Sequence, residues 1–574
     1  MDLSSYTRRA LLQRIGTIAL GGVAVGVLAA CGPAAQAPAQ TSTTAAPAST
    51  PAPVATKAAV AAPTTAASQA GPAATVAPAT ASGGSSQTLR YASADFSNET
   101  LDPIVLATQW GWALYDSLLT FDAQGNAIGN IAETYNLSQD GLTWTFNVRK
   151  GIKFHNGDPL TANDVVFSLQ HFGSKDSTNP WSPYILKNNE SITAADDYTV
   201  VYKALKPEWP LKVPFAQTLI LPKAYFEQVG QDGFQAKPVG SGPYKFVNHV
   251  PKTSMEYEAN TDYWGPVKPS WPHIVETLVP EEATRVAQIK RGDVDIVGAL
   301  SFDRLVELKG EGLRLQEVGL PTLANVCFPG TFMTTGPTSD VRVRQAMSYA
   351  INRQEVSDTF YKGFGKPGGW WFWSEQTWGF DPSQWTADPY DPNKAKQLLQ
   401  DAGYPGKFNP QTTTLYTNPL NADLMQIMQG YWQAVGLNVD VQVVDTPVLN
   451  KMWFVRAQGP TDPQIGAVIP WVGTGYFNNV YHSANVFTST GTTTTANDPT
   501  ADQMYQAAVS ELDDAKAKKL WQNLMHYGYD TMWVNVELVQ VPTYFVVGPN
   551  VGAFTNRTYI NMWDTYVGIQ RNSF

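Results

Sequence analysis

Residues Gly129 to Leu169 read GNIAETYNLSQDGLTWTFNVRKGIKFHNGDPLTANDVVFSL. The middle of this stretch, Leu142-Thr143-Trp144-Thr145-Phe146-Asn147-Val148, alternates apolar and polar side chains, the period of a half-buried strand. Asp140-Gly141 and Asn156-Gly157 are turn pairs at strand ends. Thr161-Ala162-Asn163-Asp164 stands before Val165, Val166, Phe167 and Leu169. It is an acidic variant of the capping box and starts a helix. Strand, turn and helix signals so close together predict a mixed α/β chain.

The alternation continues outward without a repeat period. Tyr198 to Tyr202 is a further β run, and Leu437 to Val444 is another, with Asn438, Asp440 and Gln442 facing out. Asp391-Pro392 opens a helix that Gly403 closes, with Ala395, Leu398, Leu399 and Ala402 on its inner face. Glu281 to Lys290 ends at Gly292 in the same manner. Val343, Met347, Ala350 and Ile351 keep helical spacing, so Arg342, Arg344 and Gln345 are expected to point away. A last long helix is expected from about Ala501 to Tyr527.

The chain has 574 residues and is 43% hydrophobic, enough for two or three domains that each bury a core. A charged fraction of 15% with 12% aromatics suits work outside the cytoplasm. The formal charge of -10 argues against nucleic acid and against electrostatic docking on anionic lipid. The two cysteines, Cys31 and Cys327, make no disulfide framework and no metal-ligand spacing. Cys327, in the apolar run Ala324 to Phe328, reads as a small buried hydrophobe.

Residues 1–30 read as a signal peptide: a basic end with Arg8-Arg9, an apolar run from Ile15 to Ala30, then small residues. The apolar run is short for a stable membrane span. Leu28-Ala29-Ala30-Cys31 resembles the lipobox of bacterial lipoproteins, which implies a lipid on the Cys31 thiol and an anchored mature N-terminus. Arg8-Arg9 resembles a twin-arginine export signal, with Leu11 in place of the usual Phe. Residues 31–87 then hold the lipidated cysteine and a tether rich in Ala, Pro and Thr, too poor in apolar bulk to build a core. Such a chain spans roughly 40 Å as a flexible coil. The folded body runs from about Thr88 to Phe574.

Catalytic signatures are missing from the sequence. The histidines at 155, 171, 249, 273, 482 and 526 fit no HExxH or other metal spacing. Gly240-Ser241-Gly242 runs into Pro243, which does not suit a nucleophile elbow. There is no GxxxxGK[ST] loop, and no carboxylate pair is marked out. The expectation is a protein that is not an enzyme, with no metal and no cofactor.

Several motifs carry a family resemblance in the right order. They are Gly129–Leu169 itself, Leu101-Asp102-Pro103 with Leu114-Tyr115-Asp116-Ser117-Leu118, and Pro238-Val239-Gly240-Ser241-Gly242-Pro243-Tyr244. Asn260-Thr261-Asp262-Tyr263-Trp264-Gly265, Val341-Arg342-Val343-Arg344-Gln345-Ala346 and Tyr390-Asp391-Pro392 with Leu398-Leu399 follow. Together they resemble the family 5 extracellular solute-binding proteins, the peptide, nickel and oligosaccharide receptors of ABC importers. The resemblance implies an α/β fold of the periplasmic-binding-protein type, in its large class, with two lobes around a hinged cleft. Lobe I would comprise 88–128, 238–330 and 536–574. An extra subdomain would fill 129–237, and lobe II 331–535. It also implies a monomer that captures a small solute, peptide or oligosaccharide, and hands it to membrane permease subunits from the outer face of the cytoplasmic membrane. A lipid-anchored enzyme or adhesin using the same export route is the alternative from another class, and a nickel or haem receptor a third. His482 alone is little support for a metal or haem.

For the cleft, the aromatic-rich stretch Gly368–Trp378, GGWWFWSEQTW, supplies Trp371, Trp373 and Trp378 as ligand-binding candidates. The stretch IPWVGTGYFNN adds Trp471, Tyr476, Phe477 and Asn478, and Trp110 completes the set. Flat aromatic faces stack on sugars or on apolar peptide side chains, and pockets are commonly lined by them. Peptide receptors of the family commonly place an Asp a few residues after such a Trp, to hold the ligand's amino group. From Val472 to Asn479 this chain has no carboxylate, and a buried ammonium without a counter-charge is costly. That shifts weight toward uncharged, polyhydroxylated or blocked ligands.

Overall fold

The computed structural model of the chain describes residues 87–96, 99–103, 109–122, 125–179, 181–368, 378–380, 386–445, 448–449, 452, 468–474, 486–489, 491, 495, 497–554 and 565–572. The signal peptide, Cys31 and the tether lie outside the described residues, as do Trp371, Trp373, Tyr476, Phe477 and Asn478.

The opening stretch folds as its pattern predicts. Thr143–Val148 is a strand whose Trp144, Phe146 and Val148 are buried. It pairs antiparallel with Ala132–Leu137 on one side and Thr199–Ala204 on the other, and Asn189–Asp196 completes a four-stranded sheet. Helix Ala162–Phe172 begins at Thr161, whose N–H donates to Asp164 Oδ2 at 2.9 Å, closing the acidic capping box. Phe215 meets Trp144 and Phe146 edge-on, at 5.4 and 5.0 Å between ring centres. This sheet shares one apolar cluster with Leu89, Tyr115, Ile274 and Phe545.

The largest sheet has nine strands. Its spatial order is Ile469–Thr474, Arg314–Cys327, Asn535–Val547, Ile296–Val297, Thr88–Ser93, His273–Leu278, Ser254–Ala259 and Tyr244–Val250, with Lys366–Pro367 beside Asn535–Val547. The strand Arg314–Cys327 and its antiparallel partner Asn535–Val547 form the longest ladder. At one end of it Val318, Phe545 and Val547 pack into the cluster just described. At the other end Ala324, Val326, Val536 and Leu538 pack into a different one, with Met347, Leu399 and Trp432. The register breaks between these ends, from Val318 opposite Thr543 to Thr322 opposite Val541. The intervening Gly319 has φ of 63°, open to glycine, and Pro321 has no N–H to give a ladder. A two-strand ribbon with its weakest pairing between two cores is where a chain bends most readily.

The second core is built on the parallel pair Thr413–Thr417 and Val439–Val443, with helices Val341–Tyr349, Pro392–Ala402 and Ala422–Ala434. Asp391 accepts from the N–H groups of Asn393 and Lys394, and Gly403 ends the helix with φ of 80°. Helix Glu282–Arg291 stops at Gly292 in the same conformation. A further cluster joins Trp378, Trp209, Cys327 and helices Pro499–Ser510 and Asp514–His526.

Two expectations need correction. The long helix at Ala501–Tyr527 is two helices, because Asp513 caps a fresh start by accepting from the N–H of Lys516 at 2.9 Å. Arg344 does not point away. It is 5% exposed and turned inward, where backbone carbonyls receive it. Arg342, by contrast, stays at the surface side and pairs with Asp340.

Candidate functional site

The sequence motifs converge, but on a structural joint. Asp116 is fully buried and accepts from Ser241 Oγ at 3.1 Å, Tyr263 OH at 3.0 Å and Trp264 Nε1 at 2.8 Å. Gly240 and Gly242 lie flat on the Leu114 backbone. A Cβ would stand 2.0 Å from Leu114 O at the first and 2.5 Å from Leu114 C at the second. No side chain fits such approaches, which explains the glycines. Asn260 Nδ2 donates to Gly242 O at 3.0 Å and locks the same turn. These residues hold a framework rather than a ligand.

His155 sits in this joint. Its Nδ1 accepts from the N–H of Gly240 at 3.2 Å and its Nε2 donates to Gly242 O at 3.0 Å, which fixes a neutral tautomer. Burial holds its pKa down to about 4, against the ordinary 6.5, outweighing the Gly242 carbonyl. The unfolded chain therefore takes up a proton here below about pH 6.5, and the folded protein takes it only near pH 4. This residue's contribution is full above pH 6.5 and falls as pH drops from there to 4. Urea midpoints at pH 7, 5.5 and 4.5 should fall more steeply for the wild type than for His155→Gln. Parallel profiles would contradict this.

The described ligand-binding candidates go to three places. Trp110 is a core ring: it is fully buried, its Nε1 donates to Glu276 Oε2 at 2.9 Å, and it meets Phe96 and His249 edge-on. Trp378 is 7% exposed and stacks on Trp209, with ring centres 4.4 Å apart and planes 29° off parallel. Trp471 lies in the strand Ile469–Thr474, opposite Asn325.

Trp209 belongs to a contact that the sequence reading missed. Its Nε1 donates to Asp514 Oδ1, and Lys212 Nζ reaches the same oxygen at 2.7 Å while lying 4.9 Å above the Trp209 ring. The region 129–237 thus meets the region 331–535 through stacked indoles and a shared carboxylate. Nothing local in the sequence signals a pair 305 residues apart.

The strand Ile469–Thr474 is the outermost of its sheet. Among the described residues it pairs only with Arg314–Cys327, while Val468 alone is bridged to Leu415 of the parallel pair. Among the described residues, none pairs with its other edge beyond the bridge at Val468. Two open hollows, of about 780 and 790 Å³, lie elsewhere: one includes Lys290, Arg291 and Arg314, the other Glu133, Arg149 and Tyr198. Neither includes a residue of this strand or of the Trp209–Trp378 contact.

The profile of the bacterial extracellular solute-binding proteins, family 5 (middle region), matches residues 126–494. The chain belongs to that family. A Brucella ovis protein provisionally named as an ABC transporter peptide-binding protein is 26% identical to this family 5 member over 445 residues, 74% of this chain and 82% of its own. The dipeptide-binding protein of Escherichia coli is 27% identical over 57% of this chain and 65% of its own. The fold matches that of the periplasmic binding protein DppA from Helicobacter pylori, solved with the peptide STSA. There the TM-score is 0.69 at 20% identity, covering 85% of this chain and 98% of that one. The family 5 fold is two-lobed, and its members are solute-binding components of ABC importers. Among the described residues, no helix is long and apolar enough to cross a membrane, and no group of His, Cys, Asp and Glu is placed to hold a metal.

Proposed function

We propose that this family 5 receptor captures a peptide between its lobes, is held at the membrane by lipid on Cys31, and delivers its cargo to permease subunits. The peptide reading is supported above all by the edge of Ile469–Thr474 that no described residue pairs with. An extended peptide can add to such an edge by main-chain hydrogen bonds, which need no particular side chains. An oligosaccharide has no matching row of alternating N–H and C=O groups. The names of the relatives lean the same way.

In this reading lobe I comprises 88–128, 238–330 and 536–574, an extra subdomain fills 129–237, and lobe II comprises 331–535. The lobes turn about the register break at 319–321. The Trp209–Trp378 stack and the Lys212–Asp514 ion pair then hold them together. Trp371, Trp373, Trp471, Tyr476, Phe477 and Asn478 line the space that closes.

The test is a thermal-shift screen of the full chain against alanine peptides of two to six residues and against cello- and malto-oligosaccharides. A ligand present at 100 times its Kd stabilises the folded protein by about 2.7 kcal/mol. Peptides should raise the melting temperature and sugars should leave it unchanged. A shift with sugars alone assigns the oligosaccharide alternative. Turnover of either without any shift assigns the enzyme alternative.

A further inference from the structure

The two faces of the long ladder differ in kind. A bulge at Leu538–Val539 places two successive residues of the strand Asn535–Val547 on one face, so that Glu537 and Gln540 share the opposite face. The first face is apolar: Ala324, Val326, Val536, Leu538, Val539 and Val541 all enter the second core. The other face carries Asn325, Asn535, Glu537 and Gln540, which are 0, 1, 4 and 6% exposed.

Three of these four are left with hydrogen-bonding capacity unmet. Asn535 Nδ2 donates to Asn325 Oδ1 at 3.4 Å, but among the described residues Asn325 Nδ2, Asn535 Oδ1 and Gln540 Nε2 have no partner. Among the described residues fifteen buried side-chain atoms are so left, and these three lie on one face of one strand pair. Buried amides without partners are rare in folded proteins, and a cluster of them calls for a missing partner. Glu537 at the same face is fixed by Arg353 Nη2 at 3.4 Å and by the N–H of Asp388 at 3.3 Å. Asn325 is opposite Trp471, and Leu323, opposite Gln540, is opposite Gly473. By register, the row that carries Asn325 therefore borders Trp471 and Gly473 on the outermost strand.

We propose that Asn325, Asn535 and Gln540 form the polar floor of the solute site and exchange hydrogen bonds with the amide groups of the cargo. Asn325 Nδ2 and Gln540 Nε2 donate to solute carbonyls, and Asn535 Oδ1 accepts a solute N–H. This rests on the peptide reading above and deepens it, because one acceptor followed by two donors, each set two residues further along the ladder, can meet the N–H and C=O groups of a peptide main chain. It also gives a means of holding peptide without the carboxylate that the segment after Trp471 lacks.

The test compares full-length Asn325→Leu and Gln540→Met with the wild type, using the same alanine peptides as probes, by calorimetric titration and by thermal melting. The ligand-free melting temperature should stay level or rise in both variants, since each replaces an unpartnered buried amide with an apolar side chain. Affinity for the probe should fall at least tenfold. An unchanged affinity, or a ligand-free melting temperature lowered by more than a few degrees in both variants, overturns the proposal and leaves the peptide reading standing. If no alanine peptide shifts the wild type, the peptide reading falls and this inference falls with it.

Discussion

Replacing Asp116 by alanine should lower the unfolding free energy of the chain by about 4 kcal/mol, taking charged hydrogen bonds at about 1.5–3 kcal/mol each with incomplete additivity. The carboxylate is fully buried and accepts from three side chains that are distant in sequence: Ser241, Tyr263 and Trp264. None of these three is a cation; each aims a dipole at the carboxylate. Removing it leaves the buried donors of Ser241 and Tyr263 facing a cavity that water does not fill well. Asp116→Asn keeps the shape but turns an N–H₂ toward donors, and should recover less than half of the loss. Urea unfolding followed by tryptophan fluorescence measures this, as a lower midpoint at unchanged slope. A loss below about 1 kcal/mol would sink the claim, since that is the scale of one ordinary neutral hydrogen bond.

The same joint shows what sequence reasoning can and cannot reach. Turns and caps are local chemistry, so Thr161 with Asp164, Asp391 with Gly403, and Gly292 were legible from a few residues each. Strand Thr143–Val148 was legible because period two is local as well. The order of motifs identified the family, yet their shared meeting point at Asp116 was not visible, because its partners lie 125 to 148 residues away. The break at Asp513 was hidden by apolar positions that keep helical spacing across it, although Asp513-Asp514 is itself a start signal. The polar face of the long ladder was hidden twice over. Its strands are about two hundred residues apart, and the bulge at Leu538–Val539 inverts the parity that alternation would assign to Gln540. For the candidate ligand residues, aromatic richness was a guide to surface cost only. It did not separate a ring that fills a core, as Trp110 does against Glu276, from one stacked across two regions, as Trp378 does on Trp209.

Arg344→Ala should be comparably damaging, at about 3–5 kcal/mol, taking hydrogen bonds to a charged group at about 1.5–3 kcal/mol each with incomplete additivity. Helical periodicity places Arg344 outside, but its guanidinium ends among carbonyls. Nε donates to Trp533 O at 2.9 Å, Nη1 to Thr338 O at 2.6 Å, and Nη2 to Met532 O at 2.6 Å. Met532 closes the turn Tyr527–Met532, and Trp533 follows it with φ of 49°, so these carbonyls are the loose end of a helix with no further turn to satisfy them. A cation is the natural partner of that end. Burial lowers the Arg344 pKa to about 10, which still leaves it charged at neutral pH. Arg344→Lys should not rescue, because an ammonium is a point donor and cannot span three carbonyls set for a planar fork. The loss should also be located. Residues 532–533 feed the strand Asn535–Val547, so amide exchange at Val536 and Leu538 should accelerate more than at Val546, beyond the register break. Equal acceleration at all three would mean that the lesion is global. In that case Arg344 would support the whole molecule rather than the entry of the strand that joins its two cores.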